Sequence, residues 1–457
     1  MLDRRRFLAS IAAAAALPAA VRAIPTANSD ASPFGPLKAD PNRLLDLPDG
    51  FSARVVSRAG DTMSDGLAVP PAHDGMAAFA GRDGRVILVC NHEMDSAYPE
   101  FSAFGTRFKE LPDAVRECVY DWGGEETPGA GGTTTTIYDP ATQRTERQFL
   151  SLAGTEVNCA GGPTPWGSWL SCEESFTDPG ISYAGGKRVV RNEKHGYVFE
   201  VRADATGLVR AEPLRAMGRF EHEAAAVDPE TGFVYMTEDR YYSLFYRFRP
   251  AVPGRLAEGG RLQALTIVGR PSMHTHNWSS APDVRVGERL PVAWLDLDDV
   301  DATQNDLRLR GAAAGAATFA RGEGLCRAGE SFVFTCTIGG AARLGQVFSY
   351  TPGGNAARDG QPDGHLELIA EASTDSLLQN ADNLTMAPWG DLVVCEDTNG
   401  HCGLIGVRPD GTQYEIADNA YSGSELAGVC FAPDGRTLFV NIQYPGITVA
   451  ITGAWPM

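Results

Sequence analysis

Short apolar runs of strand length follow glycine-containing turns at six places along the chain. The six segments are DGRVILVCNHE (83–93), PWGSWLSCEE (165–174), DPETGFVYMTED (228–239), AGESFVFTC (328–336), PWGDLVVCED (388–397) and PDGRTLFVN (433–441). Several runs, such as 392–395, are continuously apolar, which is typical of strands covered on both faces. Further strand-like runs lie between the copies, at 196–201, 244–248 and 346–350. The pattern predicts an all-β fold with few helices.

Repeated strand-turn-strand units of this kind are typical of a β-propeller, which leaves only short, protected sheet edges. We therefore predict a six-bladed β-propeller with loop and short-helix insertions, forming a single catalytic domain over residues 24–457. The uneven spacing of the copies predicts insertions at 96–126 and 181–193 that roof one end of the channel. A pair of β-sandwich domains is the alternative architecture. Because a closed propeller needs no partner to protect its edges, we expect a monomer.

The first 23 residues have the features of an export signal. Arg4, Arg5 and Arg6 precede a short apolar run, and Val21-Arg22-Ala23 has the small residues that signal peptidase accepts. We interpret residues 1–23 as a twin-arginine signal peptide, which predicts contact with the twin-arginine export machinery and a periplasmic or secreted location. This route exports folded proteins, often with a metal already bound. An ordinary secretory signal or an uncleaved anchor is the alternative.

The charge of the chain excludes some classes of partner. Removal of residues 1–23 leaves 35 basic and 57 acidic side chains, a net charge of −22. Such a surface repels nucleic acid and anionic lipid, so no nucleic-acid binding is expected. No apolar run reaches the roughly 18 residues that a membrane span needs. An anionic substrate would require bound cations to reverse the local field, although an acidic exterior can also serve solubility alone.

One of the nine cysteines differs from the others in its surroundings. Five lie inside apolar runs, where a buried, inert thiol is expected: Cys90, Cys172, Cys336, Cys395 and Cys430. Cys159 instead lies in NCAGGP (158–163), where flanking glycines let the backbone approach another group closely. The odd number leaves at least one free thiol, and pairings such as Cys326 with Cys336 or Cys395 with Cys402 stay open.

Acidic residues recur at equivalent points of the six copies. After the apolar run come Asn91-His92-Glu93, Glu173-Glu174, Glu238-Asp239 and Glu396-Asp397, and before the turn come Asn158-Cys159, Glu221-His222-Glu223, Glu323, Asp382-Asn383 and Glu425. Innermost propeller strands end around one axis, so these side chains would meet in one space. Because adjacent strand residues point to opposite faces, we expect only one member of each acidic pair to face the centre.

A ring of carboxylates needs a counter-charge, since neighbouring acids otherwise raise one another's pKa strongly. Multivalent cations are the simplest solution. All-oxygen ligands suit calcium, whereas a thiolate favours a softer transition metal, so a site with both predicts two kinds of metal. His274 and His276 have a spacing that could place two imidazoles on one metal, but no neighbouring acid or thiol completes the set, which favours a loop role.

Several long segments resemble the PhoX-type alkaline phosphatases, twin-arginine-exported β-propeller enzymes. The resemblance runs along the whole chain and is clearest at NCAGGPTPWGSWLSCEES (158–175), KHGYVFEV (194–201), GRFEHEAAAVDPETGFVYMTEDR (218–240), RGEGLCRAGESFVFTCTIGG (321–340), ADNLTMAPWGDLVVCED (381–397) and ELAGVCFAPDGRTLFVNIQYPG (425–446). It implies hydrolysis of small phosphate monoesters at a buried iron and calcium cluster, in the service of phosphate acquisition.

The resemblance also implies a ligand set. Cys159 is similar in position to the thiolate ligand of iron. The carboxylate ligands implied by matching motif positions are Glu93, Glu174, Glu223, Glu238 or Asp239, Glu323, Asp382 and Glu396. A phosphoryl group in transfer carries charge on three equatorial oxygens, so a cation that binds it would assist. Lys194 and Arg240 are the candidates for that contact, and a surface role for each is the alternative.

Two other functions use the same features differently. Calcium-dependent lactonases also place acids and amides around an axial calcium in a six-bladed propeller, but that chemistry has no use for Cys159. A non-catalytic propeller could bind a partner and use its metals for stability alone. Bound iron would argue against the first alternative, and turnover of phosphoesters would argue against the second.

Overall fold

The computed structural model describes residues 32–184, 186–279, 281–354, 362–398 and 400–456. The predicted signal peptide lies outside the described residues. Strands dominate the described part, as the apolar pattern predicts. The few helices found there are too short or too polar to cross a membrane.

The described residues form thirty strands. Strands β1 to β15 are, in order, Leu37–Lys38, Leu45–Pro48, Ser52–Arg58, His73–Ala80, Val86–His92, Gly131–Asp139, Arg144–Thr155, Asn158–Pro163, Ser168–Glu173, Gly180–Ala184, Lys187–Arg191, Val198–Arg202, His222–Val227, Val234–Glu238 and Tyr241–Ser243. Strands β16 to β30 are Tyr246–Pro250, Gly260–Ile267, Arg289–Asp296, Phe319–Ala320, Gly322–Ala328, Ser331–Cys336, Gln346–Thr351, His365–Glu371, Ala381–Met386, Leu392–Glu396, Gly403–Val407, Gln413–Asn419, Leu426–Phe431, Thr437–Ile442 and Ile447–Thr452.

Helices occupy only short connections. The two α-helices of the described part are Asp113–Arg116 and Leu307–Ala314. The 3₁₀ helices are Arg82–Gly84, Pro99–Phe101, Gly105–Glu110, Gly123–Glu125, Arg215–Met217 and Leu256–Glu258. Three of the 3₁₀ helices and the α-helix Asp113–Arg116 lie in the predicted insertion at 96–126, and the hairpin β10–β11 occupies the insertion at 181–193. Just after the first insertion, Thr127 Oγ1 donates a hydrogen bond to the main-chain oxygen of Val190 (3.1 Å), which links this region to the second insertion.

The strands form antiparallel sheets in a propeller-like arrangement. The larger sheets have the strand orders β4-β5-β6-β7, β12-β9-β8, β13-β14-β16-β17-β18-β23-β22-β21-β20, β1-β2-β27-β26-β25-β24 and β28-β29-β30-β3. The hydrogen-bonded sheets therefore do not divide into six equal blades, because one sheet has nine strands and another has three. The first and last parts of the chain meet in one sheet, where β3 pairs with the C-terminal strand β30. The all-β, propeller-like prediction is confirmed.

Six strands pack side by side around a common centre. They are β4, β8, β13, β20, β24 and β28, and each contacts the next in a closed order that returns from β28 to β4. Each lies at an edge of its sheet and is paired with the strand that follows it in the sequence. We call them the inner strands. They place residues from distant parts of the sequence on one axis.

Every inner strand contains a β-bulge near its first residue. Register shifts occur at His73/Met76, Asn158/Gly161, His222/Ala225, Gly322/Leu325, Ala381/Leu384 and Ala427/Cys430. A bulge bends the strand and re-aims a side chain. Five of these bulges contain a small residue, because neighbouring inner strands approach closely there. A Cβ on Gly75, for example, would lie 2.5 Å from the Cα atom of Ala160.

Apolar faces of neighbouring sheets pack against each other between the inner strands and the periphery. The largest cluster includes Tyr235, Phe245, Phe334 and Phe348, and the rings of Phe245 and Phe334 stack with centroids 4.4 Å apart. All nine cysteines are free thiols, and the five predicted to be buried and inert are buried. Because the apolar clusters lie away from the axis, the groups at the axis are polar, and the bulges direct several of these side chains toward it.

Candidate metal centre

In five of the six inner strands, the bulge directs an acid or a thiol toward the axis. In five strands the first bulged residue is the one that follows the first residue pair of the strand: Asp74, Cys159, Glu223, Glu323 and Asp382. In the sixth inner strand the corresponding acid is Glu425, which immediately precedes Leu426. In those five strands the local backbone irregularity therefore turns one side chain per inner strand to the centre.

A second layer of acids comes from the strand that pairs with each inner strand. Each acid directly follows the last residue of that strand: Glu93 after β5, Glu174 after β9, Asp239 after β14 and Asp397 after β25. After β21, which pairs with the inner strand β20, the equivalent residue is Thr337, whose hydroxyl donates a 2.5 Å hydrogen bond to Glu323 Oε1. Two layers of side chains thus surround the axis at one end of the fold.

These side chains form overlapping groups in which one ligand atom from every member lies within 4.8 Å of the others. The groups are Asp74, Glu93 and Cys159; Cys159, Glu174 and Glu223; Glu223, Glu323 and Asp382; and Asp382, Asp397 and Glu425. We call these nine residues the hub cluster. Each group shares a member with the next, so the donors form a continuous arc around the axis.

Burial of so many acids has a free-energy cost that the protein alone does not offset. Both carboxylate oxygens of Glu223 are buried without a hydrogen-bond partner. Burying an ionised carboxylate in this way costs roughly several kcal/mol. Burial and the neighbouring charge of Glu323 raise the pKa of Glu223 well above its usual range. Burial followed by the charge of Asp74 raises the pKa of Glu93 in the same way. Cations at the axis would remove this cost.

The thiol of Cys159 needs the same cations. Burial raises the pKa of Cys159 well above its usual range, and the charges of Asp74 and Glu223 add to that effect. A thiol in this setting stays protonated unless a metal ion displaces the proton. Oxygen donors suit hard cations such as calcium, and a thiolate suits a softer transition metal. The donor set of the hub cluster therefore fits a mixed metal centre.

Positive charge reaches the margin of the hub cluster from Arg321. Its Nε and Nη2 atoms donate to the two carboxylate oxygens of Asp239, both at 2.6 Å, and Nη2 lies 3.1 Å from Glu323 Oε1. Burial opposes the charge, but Glu323 and Asp239 outweigh burial and raise the pKa of Arg321. Asp239 also hydrogen-bonds to Glu174. Arg321 and Asp239 thus form an edge of the centre.

Only the second member of each acidic pair reaches this region, in agreement with strand alternation. The first member binds backbone instead: Glu173 accepts from the amides of Gly196 (2.8 Å) and Tyr197 (3.1 Å). Glu238 accepts from the Leu244 amide (3.4 Å) and also from the Tyr246 hydroxyl, and Glu396 accepts from the amides of Gln379 and Gly403. The structure therefore does not bring Glu238 and Glu396 together with the other predicted ligands. Burial raises the pKa of each to about 7.

A buried charged network supports the end of β9 behind Glu174. His195 donates from Nδ1 to Glu173 Oε1 (2.7 Å) and from Nε2 to Asp121 Oδ2 (3.2 Å). Burial would lower the pKa of His195, but the charges of Glu173 and Glu156 outweigh burial and raise it to about 10. This imidazole is therefore a cation that fixes the carboxylate next to a hub residue.

The two residues predicted to contact phosphate, Arg240 and Lys194, differ in how close they are in sequence to residues of this centre. Arg240 directly follows Asp239, and its guanidinium Nε lies 2.9 Å from Glu221 Oε2. Lys194 precedes His195, and its main-chain oxygen accepts a hydrogen bond from the Tyr120 hydroxyl (2.6 Å). Neither is a member of the hub cluster. His274 and His276 also lie outside it.

Some site residues were not predicted from the sequence as ligands. Asp74 and Asp397 belong to the hub cluster, and so does Glu425, which the repeat pattern marks without a ligand assignment. Arg321 was also missed. A register comparison could have found Asp74, because HDG (73–75) occupies the position of NCA (158–160) in the next inner strand. No local signal distinguishes Arg321 from the other arginines.

A family model described as alkaline phosphatase PhoX matches residues 32–446 of the chain. Among solved structures, the chain is similar to Pseudomonas fluorescens PhoX in complex with vanadate, a transition state analogue, with 19% identity over 94% of this chain and 97% of that chain and a TM-score of 0.64. A gluconolactonase from Xanthomonas campestris shares 12% identity over 92% of this chain and 98% of that chain, with a TM-score of 0.39. No curated protein sequence matches the chain.

Proposed function

As a member of the alkaline phosphatase PhoX family, the chain is a phosphatase, and we propose that it hydrolyses phosphate monoesters at an iron and calcium centre in the hub cluster. The observation that supports this most strongly is the continuous arc of acids and one thiol, in which Glu223 has both oxygens buried without a partner. Such donors are costly as bare side chains and favourable as ligands of multivalent cations.

The residues divide by their chemistry. We assign Cys159 to iron, together with neighbouring acids of its two groups, Glu93 and Glu174. The all-oxygen groups would hold calcium: Glu223, Glu323 and Asp382, and then Asp382, Asp397 and Glu425. Asp239 is proposed as a further ligand through its contact with Glu174. For Glu238 and Glu396 a ligand role stays a prediction that their backbone contacts do not favour.

Bound cations at this centre supply Lewis acidity, which neutralises phosphoryl oxygens and activates a water nucleophile. The chain itself supplies positioning. Nε and Nη2 of Arg321 are held by Asp239 and Glu323, so Nη1 is the guanidinium atom that faces a phosphoryl oxygen in our proposal. A guanidinium held by two carboxylates keeps one orientation, which suits recognition of a tetrahedral anion. Lys194 and Arg240 are proposed as additional contacts on the sequence argument alone.

We further propose that the fold is a six-bladed β-propeller. Six inner strands each begin a sheet segment and each contain a bulge near the axis. In this description the nine-stranded sheet comprises two blades, β13-β14-β16-β17 and β20-β21-β22-β23, joined through β18. Export by the twin-arginine route to the periplasm or the exterior, in a monomeric form, remains part of the proposal and depends on residues 1–23.

The test combines metal analysis with turnover of phenyl phosphate by the exported protein. We expect stoichiometric iron and calcium, loss of hydrolysis after exhaustive chelation, and recovery when both metals are returned. Cys159→Ser should lose iron and lower kcat/KM by at least about 100-fold, in line with the effect of disturbing a metal shell. Cys118→Ser is the matched control, because the Cys118 thiol donates only to the main-chain oxygen of Ala114.

Three results would count against the proposal. Full activity after chelation would exclude a metal-dependent reaction. Calcium without iron, with Cys159→Ser active, would favour the lactonase-like chemistry that does not use a thiol. A protein with its full metal complement and no turnover of any phosphoester would be a metal-stabilised binding protein.

A further inference from the structure

A row of aromatic rings packs against Tyr242, two residues after Arg240, and is not used by the chemistry above. The rings of His274, His276 and Trp278 alternate with the buried residues Thr275 and Asn277. The His274 and His276 rings stack with centroids 5.1 Å apart, and the His276 and Trp278 rings stack at 4.0 Å. The three rings therefore pack face to face in one stack, whose surface consists mainly of ring edges.

The residues between these rings hold the segment in place. The Thr275 amide and hydroxyl both donate to the main-chain oxygen of Thr318, at 3.0 and 2.9 Å. The Asn277 side chain donates to the Val284 main-chain oxygen (2.7 Å) and accepts from the Val284 amide (3.0 Å). These bonds are buried, so the ring positions are set before any ligand arrives, which lowers the entropic cost of binding.

Two tyrosines extend the surface. The Tyr242 ring meets the His274, His276 and Trp278 rings edge-on, at 5.6, 5.5 and 5.3 Å between centroids. Tyr241 and Tyr242 are 57% and 43% exposed, which is high for such large side chains. Tyr242 has a φ of 59°, a left-handed conformation that is strained for a bulky residue and is typical of functional sites. We call Tyr241, Tyr242, His274, His276 and Trp278 the aromatic platform.

The platform is built on the loops that hold Arg321. Tyr241 is paired with Ala320, and the Arg321 amide donates to the main-chain oxygen of Arg240 (3.1 Å). On the other side, Trp278 Nε1 donates to the main-chain oxygen of Ile338 (2.7 Å), next to Thr337. The platform therefore stands on the loops that adjoin Arg321, the residue whose guanidinium is assigned to the phosphoryl group.

The charge of the platform suits a neutral planar ligand. Burial, together with the charge of His274, lowers the pKa of His276 to about 4, so its ring is uncharged at neutral pH. The Arg343 guanidinium lies 4.6 Å from the centroid of the Trp278 ring and covers this side chain, so the rings open to a ligand are those of Tyr241 and Tyr242. Aromatic side chains and guanidinium groups stack on nucleobases and aryl rings of different kinds, because every such ring has a π-face.

We propose that the aromatic platform binds the organic group of the phosphoester, so that the enzyme favours monoesters whose alcohol contains a planar aromatic ring. The proposal rests on the proposed function, because it places the ester phosphate beside Arg321. Two sources share this chemistry: an aryl ring attached directly to the ester oxygen, and a nucleobase separated from the phosphate by a ribose. Exposed, preorganised rings next to a charged phosphate contact are the observations that carry it.

The test compares phenyl phosphate, adenosine 5′-monophosphate and glycerol phosphate with wild type and two variants of the exposed rings, Tyr241→Ala and Tyr242→Asn. Asn is chosen because it tolerates the left-handed conformation of position 242. Both variants should raise KM for an aromatic ester about tenfold, in the range of one lost stacking contact. Their kcat/KM for glycerol phosphate should stay within about twofold of wild type. Loss with phenyl phosphate alone identifies an aryl group, and loss with the nucleotide alone identifies a base.

Trp166→Ala is the matched control, since Trp166 lies in the turn at the far end of β8 from Cys159 and should leave the ratio of aromatic to glycerol ester unchanged. If wild type hydrolyses all three esters and both platform variants keep the wild-type ratio, the platform proposal is overturned while the phosphatase proposal stands. If no ester is hydrolysed, the proposed function fails, and calorimetric binding of phenylphosphonate decides the remaining question. Equal affinity of wild type and Tyr241→Ala would then overturn the platform.

Discussion

Replacing His195 by Gln should destabilise the protein in a pH-dependent way. The imidazole is 1% exposed and lies between the carboxylates of Glu173 and Asp121. Its charge balances two buried acids, one of which precedes the hub residue Glu174. Gln keeps a hydrogen-bonding side chain of similar reach but removes the positive charge, so the substitution isolates the electrostatic contribution.

The expected magnitude follows from two separate arguments. Hydrogen bonds to charged groups contribute about 1.5–3 kcal/mol each, and breaking one partner of a buried ion pair costs about 3–5 kcal/mol. The pKa of His195 rises from 6.5 to about 10, which is equivalent to about 5 kcal/mol at 1.36 kcal/mol per pKa unit. We therefore expect a loss of about 3–5 kcal/mol in the free energy of unfolding at pH 6.5.

The sign of the pH dependence follows from the direction of the shift. A histidine whose pKa is raised on folding contributes its full stabilisation below the unfolded pKa of 6.5 and loses it as the pH rises through the folded value of about 10. The difference between wild type and His195→Gln should therefore shrink by about 1.4 kcal/mol for each pH unit in this window. Near pH 10 the two proteins should be almost equally stable.

Urea unfolding of the metal-loaded protein at half-unit intervals from pH 6 to pH 10 measures this difference. His92→Gln is the control, because burial lowers the pKa of His92 to about 4 and its ring is neutral throughout the window. Its destabilisation should not change with pH. A His195→Gln penalty that is equally flat from pH 6.5 to pH 10 would refute the assignment of a charged imidazole.

Two further predictions concern the hub itself. Asp239→Asn should lower kcat/KM for phenyl phosphate by about 10- to 100-fold and reduce the metal content. Glu238→Gln should mainly reduce stability, because Glu238 faces away from the cluster. Elemental analysis measures the bound metal, and an equal loss in both variants would contradict this distinction. Gly75→Ala would place a Cβ 2.5 Å from the Ala160 Cα atom and should destabilise the protein by about 1–3 kcal/mol in thermal or urea unfolding, while Gly207→Ala, with no atom within 4 Å, should be tolerated.

Much of the fold could be predicted because strand periodicity and turn residues are local properties. The continuously apolar run at 392–395 became the buried strand β25, and the insertion at 96–126 contains short helices as expected. The resemblance to the PhoX-type phosphatases is confirmed by the family match over residues 32–446. The division into sheets could not be predicted, because β18 bridges two sheet segments through hydrogen bonds that no local pattern encodes.

The candidate site was predictable where it depends on repetition. Glu93, Cys159, Glu174, Glu223, Glu323 and Asp382 lie together because they occupy equivalent positions in equivalent strands. Glu238 and Glu396 do not join them, since each is one residue away from a member of the axial layer and its side chain points to the opposite face. The sequence argument named the alternation but assigned a ligand role to both members of one pair.

From its sequence alone, this protein is a chain of short β-strands with an acidic surface and a recurring set of metal-type donors, because composition and period along the chain suffice for those conclusions. Only the tertiary structure selects Asp74, Asp397 and Arg321 for the centre and packs the Tyr242 ring against Trp278. The physical reason is that distances between side chains from different sheets depend on how the inner strands close around one axis. That closure and the bulges that aim each donor are properties of packing between segments far apart in the chain.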